Sequence, residues 1–517
     1  MTKNKKILIL IICIAAILTV AGVVVFLLLP DGDDKKTIPG TYADLYDAIA
    51  NAPSGETILL EQSIICAQEI SFSKSLVLDL GGKSISAQNE FVVEEGVTLT
   101  VKNGVINANE KTTIKGNVVL QKDGIITCTN QTMYTANGSS IKVEGGKISV
   151  VNDYVECFGD VQMTSGTINK IICYGNFVMS GGHVDSCSVN GTGTITGGSF
   201  GNANTFDPLR NYGTMLRVEG SQSNPVTITS KQWGFYSHKN TSSYLKNVEI
   251  NAEFEDLYTW GNLEVYDLEL EGVTAINGQV KFENCKITDY NGGVESAFTN
   301  SSQLALKNCT IESEGIAFSN FTQAKTVVEN TVISGDVCGI MNYGELEIKS
   351  GTANGISVQT GSKTVVSGGT VTGSQKQIAI ESEYMTYSGN AKIIINGGTV
   401  DAEDDGINGY AIDVQINGGV IKGGDCGIWI GGISTLNVSG GTIKGNTALY
   451  VHTKTDTALS GGRFENGIRL EQSVMTGGEE KESSLATLLA QGYKYQSQDF
   501  FDENSRFVGS AVSVVSQ

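Results

Sequence analysis

One short phrase recurs along this chain and limits its fold more than any other feature. Alternating apolar residues lead into Asn or Gly-Gly, and another apolar residue follows. Aligned on that last residue, the phrase reads VKNGVI at Ile106, VEGGKI at Ile148, MTSGTI at Ile168, VMSGGHV at Val184 and ITGGSF at Phe200. It continues as LKNVEI at Ile250, FENCKI at Ile287, LKNCTI at Ile311 and VENTVI at Ile333, then as VSGGTV at Val371, INGGTV at Val400, INGGVI at Ile421, VSGGTI at Ile443 and LSGGRF at Phe464. From Ile287 the steps are 24 and 22, after Val371 they are 29, 21, 22 and 21, and from Ile168 they are 16 and 16. Units this short cannot bury a core alone and must stack. They are too short for helical pairs and carry runs of period two between turn residues, so each unit is a coil of short strands. Turns that lengthen while one strand keeps register predict an all-β, right-handed parallel β-helix solenoid. Coils spaced about 4.8 Å apart would make a rod of roughly 90 Å.

Composition agrees. The chain has 517 residues, more than one compact core holds unless it is a solenoid. It carries 63 Gly, 5 Pro and a formal net charge of −20. That charge argues against nucleic acid as a partner, since such binding needs basic grooves. An acidic polysaccharide would need a bridging cation.

The organisation follows from local signals. Residues 1–6 read as a lysine-bearing cytoplasmic tail. Residues 7–29 form an unbroken apolar run of 23 residues, long enough for a transmembrane signal anchor, with the chain beyond it extracellular at the cell membrane. Residues 30–40 read as a linker and 41–470 as the β-helix. Thr41 and Asp44 suggest a capping box, and Leu45, Ala48, Ile49 and Ala52 share a face, which predicts a cap helix at 42–52. Residues 471–517 read as a C-terminal cap and tail, with a short helix in SSLATLLAQG and a last strand in VGSAVSVV. Ten scattered cysteines form no C-x-x-C pair and fit neither a disulfide framework nor a zinc site. Cys157 and Cys173, and Cys285 and Cys309, should be neighbours in successive coils and remain reduced.

A second motif marks another corner: CFGD at Cys157, CYGN at Cys173, RNYG at Arg210, TWGN at Thr259 and MNYG at Met341. Its Gly suits a corner with positive φ. The aromatic before it, among them Trp260 and Tyr343, could stack on sugars. Trp233, Phe235, Tyr236 and His238 add an aromatic cluster, expected on a long turn.

The opening YADLYDAIANAPSGETILLEQSI and the phrase LVLDLGGKSI resemble the start of right-handed β-helix proteins of the pectate-lyase-like superfamily. The Gly-Gly phrases followed by SLATLLAQGYKYQ are similar to cell-surface β-helix proteins of Gram-positive anaerobes. INGGTVDAEDDGINGYAI resembles carbohydrate-binding β-helix proteins of clostridial surfaces, whose Asp-Asp-Gly-Ile turns lie near calcium. The superfamily holds lyases, hydrolases and non-catalytic adhesins, so the resemblance implies a fold more than an activity.

The hydrolase motifs of that superfamily are poorly matched. Asn204-Thr205-Phe206-Asp207 is an imperfect N-T-D, Asp404-Asp405 lies far from it, and neither G-H-G nor R-x-K occurs. Aligned coils instead stack Asp404, Asp425 and Asn446 on one turn, where Asp404 and Asp425 could hold calcium; Asp and Asn also sit in turns for conformational reasons alone. The sequence therefore predicts a non-catalytic, adhesin-like binding protein with a polysaccharide or another surface ligand. Ligand contacts fall to Asp404, Asp425, Asn446, Trp260 and Tyr343, with calcium as the candidate cation. The alternatives are a polysaccharide lyase or hydrolase acting on uronate-containing glycans, and a purely structural stalk.

Overall fold

The computed structural model describes residues 36–38, 42–289, 296–373, 379–382, 391–452, 455–471, 485–501 and 507–517. A coil turns through three short strands, such as Ile316–Asn320, Lys325–Glu329 and Thr331–Gly335. Each pairs in parallel with its counterpart in the next coil. About 19 turns build a parallel β-solenoid.

The recurring phrase is one interior column. Ile287, Ile311 and Ile333 are direct partners and are buried. The column runs on through Ala353, Val371, Val400, Ile421, Ile443 and Phe464. In the first half it links Ile106, Ile126, Ile148, Ile168, Val184, Phe200, Ile228 and Ile250. Ile126, Ile228 and Ala353 belong to coils in which the phrase is too degraded to see. The double-length gaps in the repeat are therefore pairs of coils. Burial of this column and its neighbours supplies the apolar driving force, at about 25 cal/mol per Å² removed from water.

The two glycines of the phrase act differently. Gly398 adopts φ +75, where other residues are strained, while a Cβ on Gly397 would lie 2.7 Å from the Ser367 carbonyl oxygen. The corner glycines correct the sequence expectation, because none of Gly159, Gly175, Gly213, Gly261 and Gly344 has positive φ. Close approach is what excludes a side chain there: a Cβ on Gly213 would sit 1.9 Å from the Gly191 carbonyl oxygen.

The residue two places before each corner glycine belongs to a second interior column, and this one carries polar side chains at most of its positions. It passes through Thr135, Cys157, Cys173, Val189, Asn211, Ser237 and Thr259, then Ala275, Asn300, Asn320 and Asn342. Asn300 Nδ2 donates to Asn320 Oδ1 at 3.1 Å, and Asn320 Nδ2 donates to Asn342 Oδ1 at 2.8 Å. Asn320 Nδ2 also donates to the Glu345 carbonyl, and its Oδ1 accepts from Thr326 Oγ1. The column also secures the corner, since Gly213 N–H donates to Asn211 Oδ1 and Gly344 N–H donates to Asn342 Oδ1, both at 3.0 Å. A polar group can occupy such an interior only when its bonds are complete.

The ends differ from expectation. At the N-terminal end Lys36–Ile38, assigned to the linker, pairs with Thr57–Leu60 as the first strand. The cap helix Tyr42–Asn51 buries Leu45, Ala48 and Ile49. At the other end the expected helix is a short 3-10 turn, Leu485–Leu488. An antiparallel hairpin, Tyr493–Phe501 with Phe507–Ser516, closes the phrase column by pairing with Arg463–Glu465.

The transmembrane helix in the expected fold class is corrected. Among the described residues Tyr42–Asn51 is the sole α-helix, and no helix is long and apolar enough to cross a membrane. Ten residues of helix reach only about 15 Å, half a bilayer core. The apolar run 7–29 lies outside the described residues.

Among the described residues nine cysteines are buried and none forms a disulfide. Cys157 and Cys173 are direct partners, and the Cys285 carbonyl accepts the N–H of Thr310, beside Cys309. Burial pushes the Cys66 and Cys128 thiols up to about 11.

Two outcomes follow. Asn320→Ala strips four hydrogen bonds and orphans buried partners, and denaturant unfolding is expected to register a loss of at least about 2 kcal/mol. Peptide mapping after native thiol labelling at pH 8 is expected to find these nine cysteines unmodified until denaturant is added.

Candidate functional site

The strands Leu209–Asn211, Trp233–Ser237 and Glu255–Thr259 stack in successive coils. Alternation turns Leu209, Phe235 and Leu257 into the core. It turns Arg210, Tyr236 and Tyr258 outward in one column. Tyr212, His238 and Trp260, one residue past the strands, form a second outward column along the corner. Of the aromatic cluster expected on a long turn, Trp233, Phe235 and Tyr236 thus lie on strand Trp233–Ser237 and His238 just past it, and Phe235 is fully buried.

These side chains line a cleft of about 440 Å³, together with Asp207 and Lys239. The Trp233 and Tyr258 rings stack at 4.4 Å and 14°. Tyr236 and Tyr258 lie 6.0 Å apart at 12°, and Tyr212 and His238 lie 5.0 Å apart at 29°. The cleft forms where coils widen: Val184 and Phe200 are partners across a 16-residue coil, whereas the next coil carries the extra segment from Gly201 to Pro208. That segment brings Asp207 over the face, in a left-handed conformation at φ 48.

Three polar atoms of the cleft residues are shielded from water and have no hydrogen-bond partner: Asp207 Oδ1, Arg210 Nε and Trp233 Nε1. Arg210 is held through Nη2, which donates to Ser186 Oγ at 3.2 Å. Burial raises the Asp207 pKa, against the opposing pull of the Trp233 backbone N–H and the Arg210 charge.

The Asp404 turn has a different construction. Ile407 partners Ile428 and Cys426 partners Thr447, so Asp404, Asp425 and Asn446 occupy one register position in successive coils. Asp425 N–H donates to the Asp404 carbonyl at 3.0 Å. The ligand atoms that converge, within 4.8 Å of one another, belong to Asp405, Asp425 and Cys426. Asp405 is buried; its Oδ1 accepts the Cys426 N–H at 3.1 Å and its Oδ2 accepts from Asn408 Nδ2 at 2.8 Å. Burial, reinforced by the neighbouring carboxylates, pushes the Cys426 thiol up to about 12. Two carboxylates and a protonated thiol depart from the all-oxygen shell that calcium takes. Asp405 therefore fixes the turn, while Asp404 and Asp425 sit at its edge.

The corner aromatics separate into groups. Phe158 and Tyr174 stack at 4.5 Å, and Phe321 and Tyr343 lie 6.2 Å apart at 24°. Trp260 alone among the predicted ligand contacts lines the aromatic cleft.

A second cleft, of about 690 Å³, is lined by Glu249, Glu253, Asp256, Glu269, Glu271 and Lys286 among others. Burial pushes Asp256 up to about 7. Both its oxygens are occupied, by the N–H groups of Ala252 at 3.2 Å and Glu271 at 2.6 Å, so it ties backbone together.

Sequence reasoning missed Tyr258 and the roles of Asp207 and Arg210. The alternation in LYTWGN places Tyr258 outward beside Trp260, which was the available signal. Asp207 stood out only as part of an imperfect N-T-D, and its place over the aromatic face depends on an irregular turn.

No family model matches this chain, and neither a curated protein nor a solved structure matches it. The class that can be stated is the one the geometry defines: a parallel β-solenoid with an aromatic cleft on one face.

The adjacent acids of the turn should separate by mutation. Asp405→Ala removes two bonds and orphans a buried N–H, for a loss of about 1–3 kcal/mol in denaturant unfolding. Asp404→Ala is expected to stay within about 0.5 kcal/mol of wild type.

Proposed function

We propose that this protein is a non-catalytic, polysaccharide-binding solenoid, and that the aromatic cleft is its sugar site. The observation that carries the reading is the gathering of Trp233, Tyr236, Tyr258 and Trp260 around one solvent-open volume. Aromatic side chains placed on a surface provide apolar area at low entropic cost and stack on the C–H faces of sugar rings. The strands that hold them are rigid, so little ordering free energy is lost on binding. Asp207, Arg210 and Lys239 supply polar groups at the same cleft. A strongly acidic chain also suits a glycan better than a nucleic acid.

A hydrolytic or lyase activity is the second reading. Asp207 favours it, because a carboxyl with a raised pKa suits a general acid. Glycoside hydrolysis ordinarily needs a second carboxyl across the scissile bond, and Asp207 is the one acid among the cleft-lining residues described. The binding reading therefore asks less of the site.

Affinity electrophoresis of the full chain against a panel of plant and bacterial polysaccharides tests both. Retardation by at least one polymer is expected. Trp233→Ala and Tyr258→Ala should each weaken it by at least about tenfold, the scale of losing a buried aromatic anchor. No reducing ends and no unsaturated products should accumulate. Retardation unchanged in both variants would remove the cleft from the account, and accumulating products that vanish in Asp207→Asn would establish the enzymatic reading.

A further inference from the structure

We propose that the aromatic cleft is one end of a longer track, and that the ligand is a linear glycan chain laid parallel to the rod axis over seven coils. The inference rests on the sugar-binding reading above and adds the form and direction of the ligand. Register carries it. The outward column that holds Tyr236 and Tyr258 runs back, rung by rung, from Arg210 to Tyr134. Tyr134 to Tyr258 is six rungs, about 29 Å at the strand spacing. Another cleft, of about 470 Å³, opens at Tyr134 and is lined also by Lys111, Asn130, Thr132, Asp153 and Glu156.

Between the two clefts the corner is aromatic at nearly every rung. The residue that follows the second interior column is Phe158, Tyr174, Asn190, Tyr212, His238 and Trp260 in successive coils, and each donates its N–H to the coil before. Asn190 is the one of these six without a ring. Tyr134 and Phe158 lie 5.4 Å apart, Phe158 and Tyr174 4.5 Å, and Tyr212 and His238 5.0 Å. Solvent reaches them, since Tyr134 is 37% exposed, Tyr174 41% and Tyr212 43%. An exposed apolar strip of this kind marks an interaction surface. Beyond the corner glycines, exposed polar side chains keep pace with it, among them Asp160, Asn176, Thr192 and Asn262. Thr192 Oγ1 donates to Asn176 Oδ1 at 3.1 Å, and the Asn176 N–H donates to Asp160 Oδ1 at 3.0 Å, so this row is ordered along the same axis.

The form of the ligand follows from the shape of this surface. Along the axis a ring or a polar group recurs at each rung. Across the axis the aromatic strip is only the corner and one strand column wide. A compact ligand therefore reaches one cleft alone. An extended chain of repeating units meets the strip again at each step, with C–H groups against the rings and hydroxyls toward the polar row. Each further contact is made by a unit already tethered to the surface, so it costs little additional translational freedom and affinity grows with chain length.

Calorimetric titration of the full chain tests this with trisaccharides and decasaccharides of glucose, mannose, xylose, galactose and galacturonate. A trisaccharide can occupy the cleft alone, and a decasaccharide outreaches it along the track. For at least one sugar the decasaccharide should bind at least about tenfold tighter than the trisaccharide, at one per protein chain. The double variant Tyr134→Ala, Tyr174→Ala alters exposed rings outside the cleft. It should weaken the decasaccharide by at least about tenfold and leave the trisaccharide unchanged. Trp233→Ala should weaken both lengths. Equal affinity for the two lengths, or a decasaccharide indifferent to the double variant, would overturn the track and leave the cleft standing. Two decasaccharides per protein chain, each bound no tighter than a trisaccharide, would mean separate clefts and also overturn it. Equal loss at both lengths in the double variant would show a general disturbance of the fold, and the inference fails. Binding at both lengths that ignores Trp233→Ala would remove the cleft reading itself, and binding of neither length would exclude cleft and track together.

Discussion

Parallel strands in successive coils are held about 4.8 Å apart by their backbone hydrogen bonds, and everything else in this solenoid answers to that spacing. It lets Ile311 lie between Ile287 and Ile333 in one continuous apolar column. It also brings the Gly191 carbonyl so close to the next corner that Gly213 can carry no side chain. A side-chain amide fits the same repeat, which is why Asn300, Asn320 and Asn342 can bond to one another through the core. An isolated buried amide would be a liability. In a column each one completes the next.

The fold was legible in the sequence because the phrase column is written in apolar residues at nearly constant spacing. Ile287, Ile311 and Ile333 could be aligned without a structure. Ile126, Ile228 and Ala353 could not, since their coils keep the buried position but lose the Asn or Gly-Gly that announces it. The polar column was harder still. Its members change from Thr to Cys to Asn, and no common hydropathy links them. What singles out members such as Asn211 and Asn342 is a bond to the following corner, which is geometric. The caps were legible as interruptions, but the hairpin that closes the phrase column depends on pairing between distant segments.

The site was legible only in pieces. Trp260 was singled out by its corner motif, and Trp233, Tyr236 and His238 as a local cluster. What joins them is the register between coils of unequal length, set by the extra segment from Gly201 to Pro208. Asp404-Asp405 shows the opposite case. The pair looks chemical in sequence, yet Asp405 spends both oxygens on the Cys426 N–H and the Asn408 amide. The doublet is one turn-former and one edge residue.

The two ends of the rod are closed by different devices, a helix at one and a reversed hairpin at the other. Between them, every coil adds one residue to each column. A duplicated or deleted coil would therefore change the length of the rod by a single rung and leave all columns in phase. Length is the property this architecture can vary most freely over evolution. The aromatic cleft is less portable, because it depends on one widened turn and on three particular coils lying side by side.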